Sequence, residues 1–169
     1  MPLPETPRLL FRAHQPSDLD AYCALEADPD FRRYVGGKPR TRESAERRFR
    51  LTHLPNAGRD LALHATILKS KNRYVGYCGV YPHFGPRGPI PGEGTLAFYL
   101  APDVWNQGLA TEAGRAFLDH GFGPLGLKRI VASAETGNAA SIRVLEKLGF
   151  TPTDVEHAGA RTFQNFEIQ

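Results

Sequence analysis

The chain of 169 residues contains little cysteine and no long apolar run. Its two cysteines, Cys23 and Cys78, have no CxxC or Cys-His neighbour, which excludes a disulfide framework and favours reduced thiols. No apolar stretch approaches the ~20 residues that a membrane-spanning helix needs. The first residues also lack the charged-then-apolar pattern of an export signal. We therefore expect a cytoplasmic protein without a membrane partner.

The sequence also lacks the spacing of a metal site. None of its histidines stands at a metal-ligand spacing from another one; they are His14, His53, His64, His83, His120 and His157. We expect most of them to be structural or surface residues, and we expect no bound metal.

Positive charge is concentrated in one segment, although the net charge of the chain is only +3. Residues 38–50 (KPRTRESAERRFR) contain two i,i+4 pairs, Glu43 with Arg47 and Glu46 with Arg50, which favour a solvated helix with paired charges. The alternative is a face that binds anions such as nucleic acid. Phe49 is the only aromatic residue available there for stacking on a base, so no nucleic-acid partner is expected.

Hydrophobic periodicity predicts an alternation of helices and strands. Helices are predicted at 17–28, 31–35, from 41 to before 55, at 108–120 and at 138–149. Strands are predicted at 8–13, 61–68, 73–82, 95–102, 128–135, 150–158 and 161–168. Ser17, Thr41 and Asn138 are the predicted N-caps, and Gly149 suits the left-handed C′ position of the last helix.

This order of elements predicts an α/β fold, a mixed sheet with helices on its faces. No repeat or change of composition divides the chain, so we expect a single domain over 1–169. Residues 83–94 (HFGPRGPIPGEG) contain four glycines and three prolines. They predict an extended loop that is a candidate wall of a binding site.

Residues 104–118 (VWNQGLATEAGRAFL) place Gly108 between a strand and an alanine-rich helix. The amides of the first helical turn have no intrahelical partner, and with the positive end of the helix dipole they form an anion site suited to a pyrophosphate. The alternative is an ordinary turn whose free amides bind water. A literal GxGxxG at 121–126 follows a helix and precedes a strand, the reverse of the dinucleotide-binding context, and is rejected.

A second segment supports the anion site. Residues 138–150 (NAASIRVLEKLGF) place Asn138 and Ser141 on one face of a helix entrance. Together, WNQGLATEA and NAASIRVLEKLGF resemble the two cofactor-binding segments of the GNAT superfamily of acyl-CoA-dependent N-acetyltransferases. The segments TPRLLFRAHQPSDLDAY and LGLKRIVASAETGN are most similar to the branch that acetylates protein N-terminal amines, including those of ribosomal proteins (the Rim-type branch). The resemblance covers most of the chain.

The resemblance implies a splayed, mostly antiparallel mixed sheet of about seven strands, with helices on both faces, and acetyl-CoA as cosubstrate. The family's loop pattern is Gln or Arg, two free positions, Gly, one free position, then Gly or Ala. Trp105 occupies the first place here, while Gly108 and Ala110 match. The implied pyrophosphate contacts are the amides of Gln107, Gly108, Leu109, Ala110 and Thr111. The implied pantetheine contacts are Phe98, Tyr99, Leu100 and Asn138, with Ser141 near the sulfur. Arg143 has two interpretations, a contact to the nucleotide phosphates or a solvated helix charge.

The implied chemistry is attack of an amine on the thioester carbonyl. A backbone amide near Leu100 would stabilise the oxyanion. A hydrogen bond from Ser141 would suffice for the leaving thiolate, whose thiol has a pKa of ~8.5; the alternative is an ordinary helix-start serine. The sequence does not identify the general base, because Thr95 stands where related enzymes often have Glu. Glu93 would share a face with Thr95 on an extended strand, or it is a flexible loop charge.

The sequence therefore predicts an acetyl-CoA-dependent N-acetyltransferase that acts on a protein N-terminal α-amine or on a small-molecule amine. Tyr81 and His83 are the candidates for the acceptor site. The uncertain base favours an acceptor amine of low pKa. A non-catalytic acyl-CoA-binding module is the alternative, and a nucleic-acid-binding protein is a weaker one. The sequence leaves a monomer and a homodimer equally open.

Overall fold

The computed structural model describes residues 1–169, with seven strands and five α-helices. The strands are β1 (Leu9–Arg12), β2 (Ala62–Leu68), β3 (Arg73–Gly85), β4 (Gly88–Leu100), β5 (Arg129–Glu135), β6 (Thr151–Ala158) and β7 (Arg161–Ile168). The helices are α1 (Leu19–Ala27), α2 (Pro29–Arg32), α3 (Arg42–Arg48), α4 (Leu109–Phe122) and α5 (Ala139–Lys147). A π-helical turn, Phe49–His53, continues α3.

All seven strands form one sheet in the order β1-β2-β3-β4-β5-β7-β6. Every neighbouring pair is antiparallel except β4 and β5, which run parallel. The β4–β5 pairing extends only from Glu93↔Arg129 to Thr95↔Val131. Beyond these pairs, β4 continues to Leu100 and β5 to Glu135 without pairing to each other. The sheet therefore splits open between its two parallel strands.

Helices cover both faces of the sheet. A core of 21 buried residues, including Phe117, packs α4 and α5 against one face, here called the α4–α5 face. A second core of seven residues, including Tyr77, packs α1 and α3 against the other, the α1–α3 face. Side chains alternate between the faces along each strand: in β4, Leu100 belongs to the first core and Tyr99 packs against the second. The prediction of a splayed, mostly antiparallel α/β sheet with helices on both faces is confirmed.

Two of the three predicted N-caps form. The side-chain oxygen of Thr41 accepts a hydrogen bond from the amide of Ser44, and that of Asn138 accepts one from the amide of Ser141, each at 3.2 Å. Gly149 follows α5 with φ +91°, the left-handed conformation expected of a C′ glycine.

The prediction that Ser17 caps the first helix is wrong. A 3₁₀ turn, Pro16–Asp18, comes first, and α1 begins only at Leu19. The Asp18 carboxylate accepts from the amide of Gln15 at 2.8 Å and from the Arg12 guanidinium at 2.7 Å. A carboxylate paired with a guanidinium is a stronger acceptor for a free amide than the neighbouring serine hydroxyl.

The predicted loop at 83–94 is also wrong, because these residues form the two arms of a hairpin. β3 runs to Gly85 and β4 starts at Gly88, so only two residues connect them. Pro86 lies in this connection, whereas Pro89 and Pro91 lie in β4. A strand tolerates prolines where no second neighbour needs their missing donor. That condition holds here, because β2 pairs with β3 only up to Val80 and β5 pairs with β4 only from Glu93 onwards.

Candidate active site

A cavity opens where β4 and β5 separate. It encloses about 620 Å³, and its walls come from both strands, the N-terminal ends of α4 and α5, and residues 34–36. This volume is typical of small-molecule sites. The charged side chains that line it are Glu135, Arg143, Lys147 and Arg161. Three cations and one carboxylate give the cavity a positive field, which favours an anionic ligand.

The N-terminal end of α4 is shaped to bind an anion. Gly108 has φ +77°, a conformation that strains any residue with a Cβ. The first backbone bond of the helix runs from the amide of Glu112 to the carbonyl of Gly108 at 3.0 Å. The amides of Leu109, Ala110 and Thr111 therefore have no partner within the helix, and all three residues line the cavity. Such a turn can bind an anion such as a pyrophosphate.

Arg8 does not line the cavity, but its guanidinium forms hydrogen bonds to the turn. Its Nη1 donates to the carbonyl of Gln107 at 2.8 Å, and its Nε donates to the Glu112 carboxylate at 2.6 Å. Gln107 does not line the cavity, and its side chain donates to the carbonyl of Asp103 at 3.2 Å. Of the five predicted pyrophosphate contacts, Gln107 is therefore the one that does not line the cavity. No sequence pattern connects Arg8 with this turn.

The end of β4 presents free backbone to the gap. The amide of Ala101 donates to the carbonyl of Val75 on β3 at 2.8 Å. Backbone groups alternate between the two neighbours of a strand, so those of Phe98 and Leu100 point toward the gap. The carbonyl of Leu100 accepts from the indole Nε1 of Trp105 at 2.7 Å. The Leu100 amide, the predicted oxyanion donor, faces the same gap.

The start of α5 supplies the opposite wall. Asn138, Ser141 and Arg143 all line the cavity, as does Lys147 one turn beyond Arg143. The structure thus brings the predicted residues of the second segment to the same cavity as the Gly108 turn. Arg143 lies on that wall and is exposed, so both of its interpretations stay open.

The α1–α3 face of the cavity is aromatic. Tyr81 and Tyr99 line it together with Phe163 of β7. Phe31 and Tyr34 also belong to the lining. Burial raises the pKa of Tyr99 to about 12 and also raises the pKa of Tyr81. Both phenols are therefore neutral hydroxyls near neutral pH. The side chain of Tyr99 lies on this face, opposite that of Phe98.

A buried ion-pair network fixes the segment that closes this aromatic face. The Glu26 carboxylate is fully buried, and it accepts from the Tyr77 hydroxyl at 2.7 Å, from Arg40 Nε at 2.8 Å and from Arg32 Nη1 at 3.1 Å. Gly36 lies against the same guanidinium with φ +90°, and a Cβ there would come within 2.2 Å of Arg32 Nη2. The network therefore holds residues 34–36 over the cavity.

Glu93 lies on β4, so its interpretation as a flexible loop charge is wrong. Its carboxylate pairs with Arg129 at 2.9 Å and lies 4.0 Å from His83 Nε2. The other ring nitrogen of His83 lies 3.3 Å from the hydroxyl of Thr95. Thr95 lines the cavity, whereas Glu93 and His83 do not. A hydroxyl, an imidazole and a carboxylate thus form a chain that leads from the cavity wall to its outside.

The arginine-rich segment, residues 38–50, holds three of its five arginines in ion pairs. The three that pair with carboxylates are Arg40, Arg42 and Arg50. The predicted pair of Glu46 with Arg50 forms at 2.9 Å, whereas that of Glu43 with Arg47 does not. Phe49 is fully buried, so its ring cannot stack on a base.

Features that bind metals or span membranes are not observed. No three histidine, cysteine or carboxylate side chains lie close enough together to hold a metal ion. None of the helices is both long enough and apolar enough to cross a membrane.

Two charged residues of the cavity wall have no signal in the sequence. Glu135 ends β5 and Arg161 begins β7, and the register of these strands brings them together. Arg161 Nη2 lies 2.6 Å from the Glu135 carboxylate and donates to the carbonyl of Tyr34 at 2.9 Å. Because 26 residues separate the two partners, only the strand pairing could have predicted their contact.

Comparisons with known proteins agree with this geometry. The family model of the acetyltransferase (GNAT) domain matches residues 8–151. An uncharacterized N-acetyltransferase of Bacillus licheniformis, p20, is 30% identical over 151 residues, which cover 86% of this chain and 80% of that protein. The crystal structure of a GNAT-family acetyltransferase from Bacillus anthracis has a TM-score of 0.84 at 25% identity, over 99% of this chain and 98% of its own. The spermidine N-acetyltransferase of Vibrio cholerae, solved with CoA and spermine, shares the fold with a TM-score of 0.76 at 17% identity, over 96% of each chain.

The domain match covers most of the chain, including both the Gly108 turn and the start of α5. The chain therefore belongs to the GNAT acetyltransferase family, and it is an acetyl-CoA-dependent N-acetyltransferase.

Proposed function

We propose that the chain acts as one domain that transfers the acetyl group to an α-amine of low pKa, with a protein N-terminus as the favoured acceptor, as in the Rim-type branch. The observation that carries this proposal is the state of the carboxylates. The only carboxylate that lines the cavity, Glu135, is paired with Arg161, and Glu93 outside it is paired with Arg129. A site without a free carboxylate is poorly suited to deprotonate a strongly basic amine.

Each end of acetyl-CoA has a proposed place. The amides that follow Gly108 bind the pyrophosphate, and the positive charge of Arg143 attracts the phosphates. The pantetheine arm lies along the free edge of β4 at Phe98 and Leu100 and contacts Asn138. This orientation directs the thioester into the gap between β4 and β5, with the acceptor entering from the aromatic α1–α3 face.

The transfer then proceeds by direct attack. The neutral amine forms a bond to the thioester carbon, and the amide of Leu100 stabilises the resulting oxyanion. The carbon–sulfur bond breaks, and the hydroxyl of Ser141 donates a hydrogen bond to the departing thiolate. The proton lost by the amine passes along the hydroxyl of Thr95 to His83, whose imidazolium is stabilised by Glu93. Imidazole is the side chain suited to such a step near neutral pH.

The acceptor class is tested by two peptides that differ in which amine is free. At pH 7, deprotonation costs about 1.1 kcal/mol for an α-amine of pKa ~7.8 and about 4.6 kcal/mol for a lysine amine of pKa ~10.4. We expect a peptide with a free N-terminus to react about 300-fold faster than the same peptide with a blocked N-terminus and one free lysine. Initial rates at saturating substrates, with products identified by mass, measure this ratio. Comparable rates for the two peptides would contradict a low-pKa acceptor.

The proton path predicts a change in the pH profile. His83→Gln is expected to lower kcat by about 100-fold and to change the shape of the pH profile of kcat, while KM for acetyl-CoA stays unchanged. His157→Gln, at an exposed position of β6, is the matched control and should behave as the unaltered protein does. An unchanged pH profile in His83→Gln would exclude this residue as the proton acceptor.

A further inference from the structure

The acceptor side of the cavity has one carboxylate, and that carboxylate is already neutralised. Side chains at alternate positions of β5 belong to the α4–α5 core, namely Ala132 and Ala134. Glu135 therefore points to the α1–α3 face, where the acceptor enters. Its carboxylate receives both Nε and Nη2 of Arg161, at 3.2 and 2.6 Å. A charged group on the acceptor meets this pair rather than a free carboxylate.

Arg161 is held in this position from three sides. Besides Glu135, its Nη2 contacts the carbonyl of Tyr34, and its guanidinium carbon lies 4.9 Å from the centre of the Phe163 ring. The ion pair, the carbonyl and the aromatic face together orient the guanidinium toward Glu135. Arg161 therefore keeps Glu135 paired while an acceptor binds.

The surroundings of the pair do not replace the missing negative charge. Tyr81, Tyr99 and Phe31 present aromatic rings and neutral hydroxyls on the same face. The other charged side chains of the cavity, Arg143 and Lys147, are cations. A second ammonium group on the acceptor would be desolvated without a carboxylate partner, which is unfavourable in a partly buried site.

We propose that the Glu135–Arg161 pair makes the enzyme select amines that carry an apolar or aromatic group and no second positive charge. This inference rests on the proposed function and specifies its acceptor: an α-amine whose neighbouring side chain is uncharged. The pair is a specificity determinant, because it excludes polycations such as polyamines without contacting the reacting atoms.

Two small amides test this selection, because they share one carbon chain and differ by one charge. Norleucinamide and lysinamide are compared by kcat/KM for α-acetylation at saturating acetyl-CoA, with products identified by mass. Calorimetry measures the affinity of each amide for the CoA-loaded protein, which requires no turnover. We expect norleucinamide to be preferred by about tenfold or more in both measurements. Equal values for the two amides would overturn the inference, even if both were acetylated.

Two variants separate selection by charge from a structural effect. Arg161→Met leaves Glu135 unpaired and should shift the ratio toward lysinamide by about tenfold, whereas Glu135→Gln retains the cation and should shift it further toward norleucinamide. A loss of packing alone would lower kcat/KM for both amides equally and leave their ratio unchanged. An unchanged ratio would contradict the assignment. If the CoA-loaded protein shows the preference but no acetyl transfer occurs, the selection is supported and the proposed function fails.

Discussion

Replacing Gly108 with glutamate is expected to weaken the binding of acetyl-CoA more than about 1,000-fold. The amides of Leu109, Ala110 and Thr111 have no partner within the helix, and these residues line the cavity. A carboxylate placed beside them would occupy the position proposed for the pyrophosphate and would repel it. The left-handed conformation at φ +77° adds strain, of about 1–2 kcal/mol for a residue with a Cβ. Calorimetric titration with CoA measures the loss directly.

Gly126→Glu is the matched control for this substitution. Gly126 also has a positive φ, +62°, and a Cβ there meets nothing within 4 Å. It follows α4 rather than preceding it, and it does not line the cavity. The two variants should lose similar stability, but Gly126→Glu should bind CoA with full affinity. Unchanged CoA binding in Gly108→Glu would contradict the assignment of the turn to the pyrophosphate.

The free energy of unfolding is expected to fall steeply when the pH drops below about 6.5. Burial disfavours the charged form of three histidines and lowers the pKa of His14 to about 4, of His53 to about 3 and of His64 to about 4. In the unfolded chain each pKa returns to about 6.5, so between these values the unfolded state binds protons that the folded state excludes. Each buried histidine then costs about 2 kcal/mol at pH 5. Carboxylates of lowered pKa, such as Asp18, lose their stabilising effect only at lower pH.

Thermal unfolding at pH 7, 6 and 5 measures this dependence. His53→Phe keeps a ring in the cluster formed with Tyr22 and Tyr77, and it should reduce the fall in Tm between pH 7 and 5. His157→Gln, on the exposed strand β6, should leave the fall unchanged. A Tm that is constant from pH 7 to 5 in the unaltered protein would show that the buried histidines do not titrate as described.

The elements that depend on local physics were predictable from the sequence. Apolar periodicity and capping residues such as Thr41 and Asn138 act over three or four residues, so they could be recognised without knowledge of the fold. The predictions that failed concern features that depend on contacts between distant segments. The hairpin at 83–94 forms because its arms pair beyond the reach of β2 and β5. That condition belongs to the register of the sheet and not to the proline and glycine content.

In the candidate site, too, features within one segment were predictable and contacts between segments were not. The Gly108 turn is one continuous stretch of sequence, and the start of α5 is another. Their residues line one cavity, as the resemblance implied. Contacts between distant segments could not be predicted, because they depend on strand order and register. Examples are Arg161 with Glu135 and the carbonyl of Tyr34, and Arg8 with Gln107. The roles of the individual cavity residues stay predictions until variants are measured.

Acetyl transfer to pooled amines is the most direct test of the central claim. The protein is incubated with acetyl-CoA and with N-terminal peptides, polyamines, aminoglycosides or free amino acids, and the products are identified by mass. Both cysteines are buried, so acetylation of the protein's own thiols should add little background. We predict acetylation of the α-amine of the peptides, and its loss in Gly108→Glu. Binding of acetyl-CoA without transfer to any pool would contradict the catalytic claim and would favour a non-catalytic acyl-CoA-binding module.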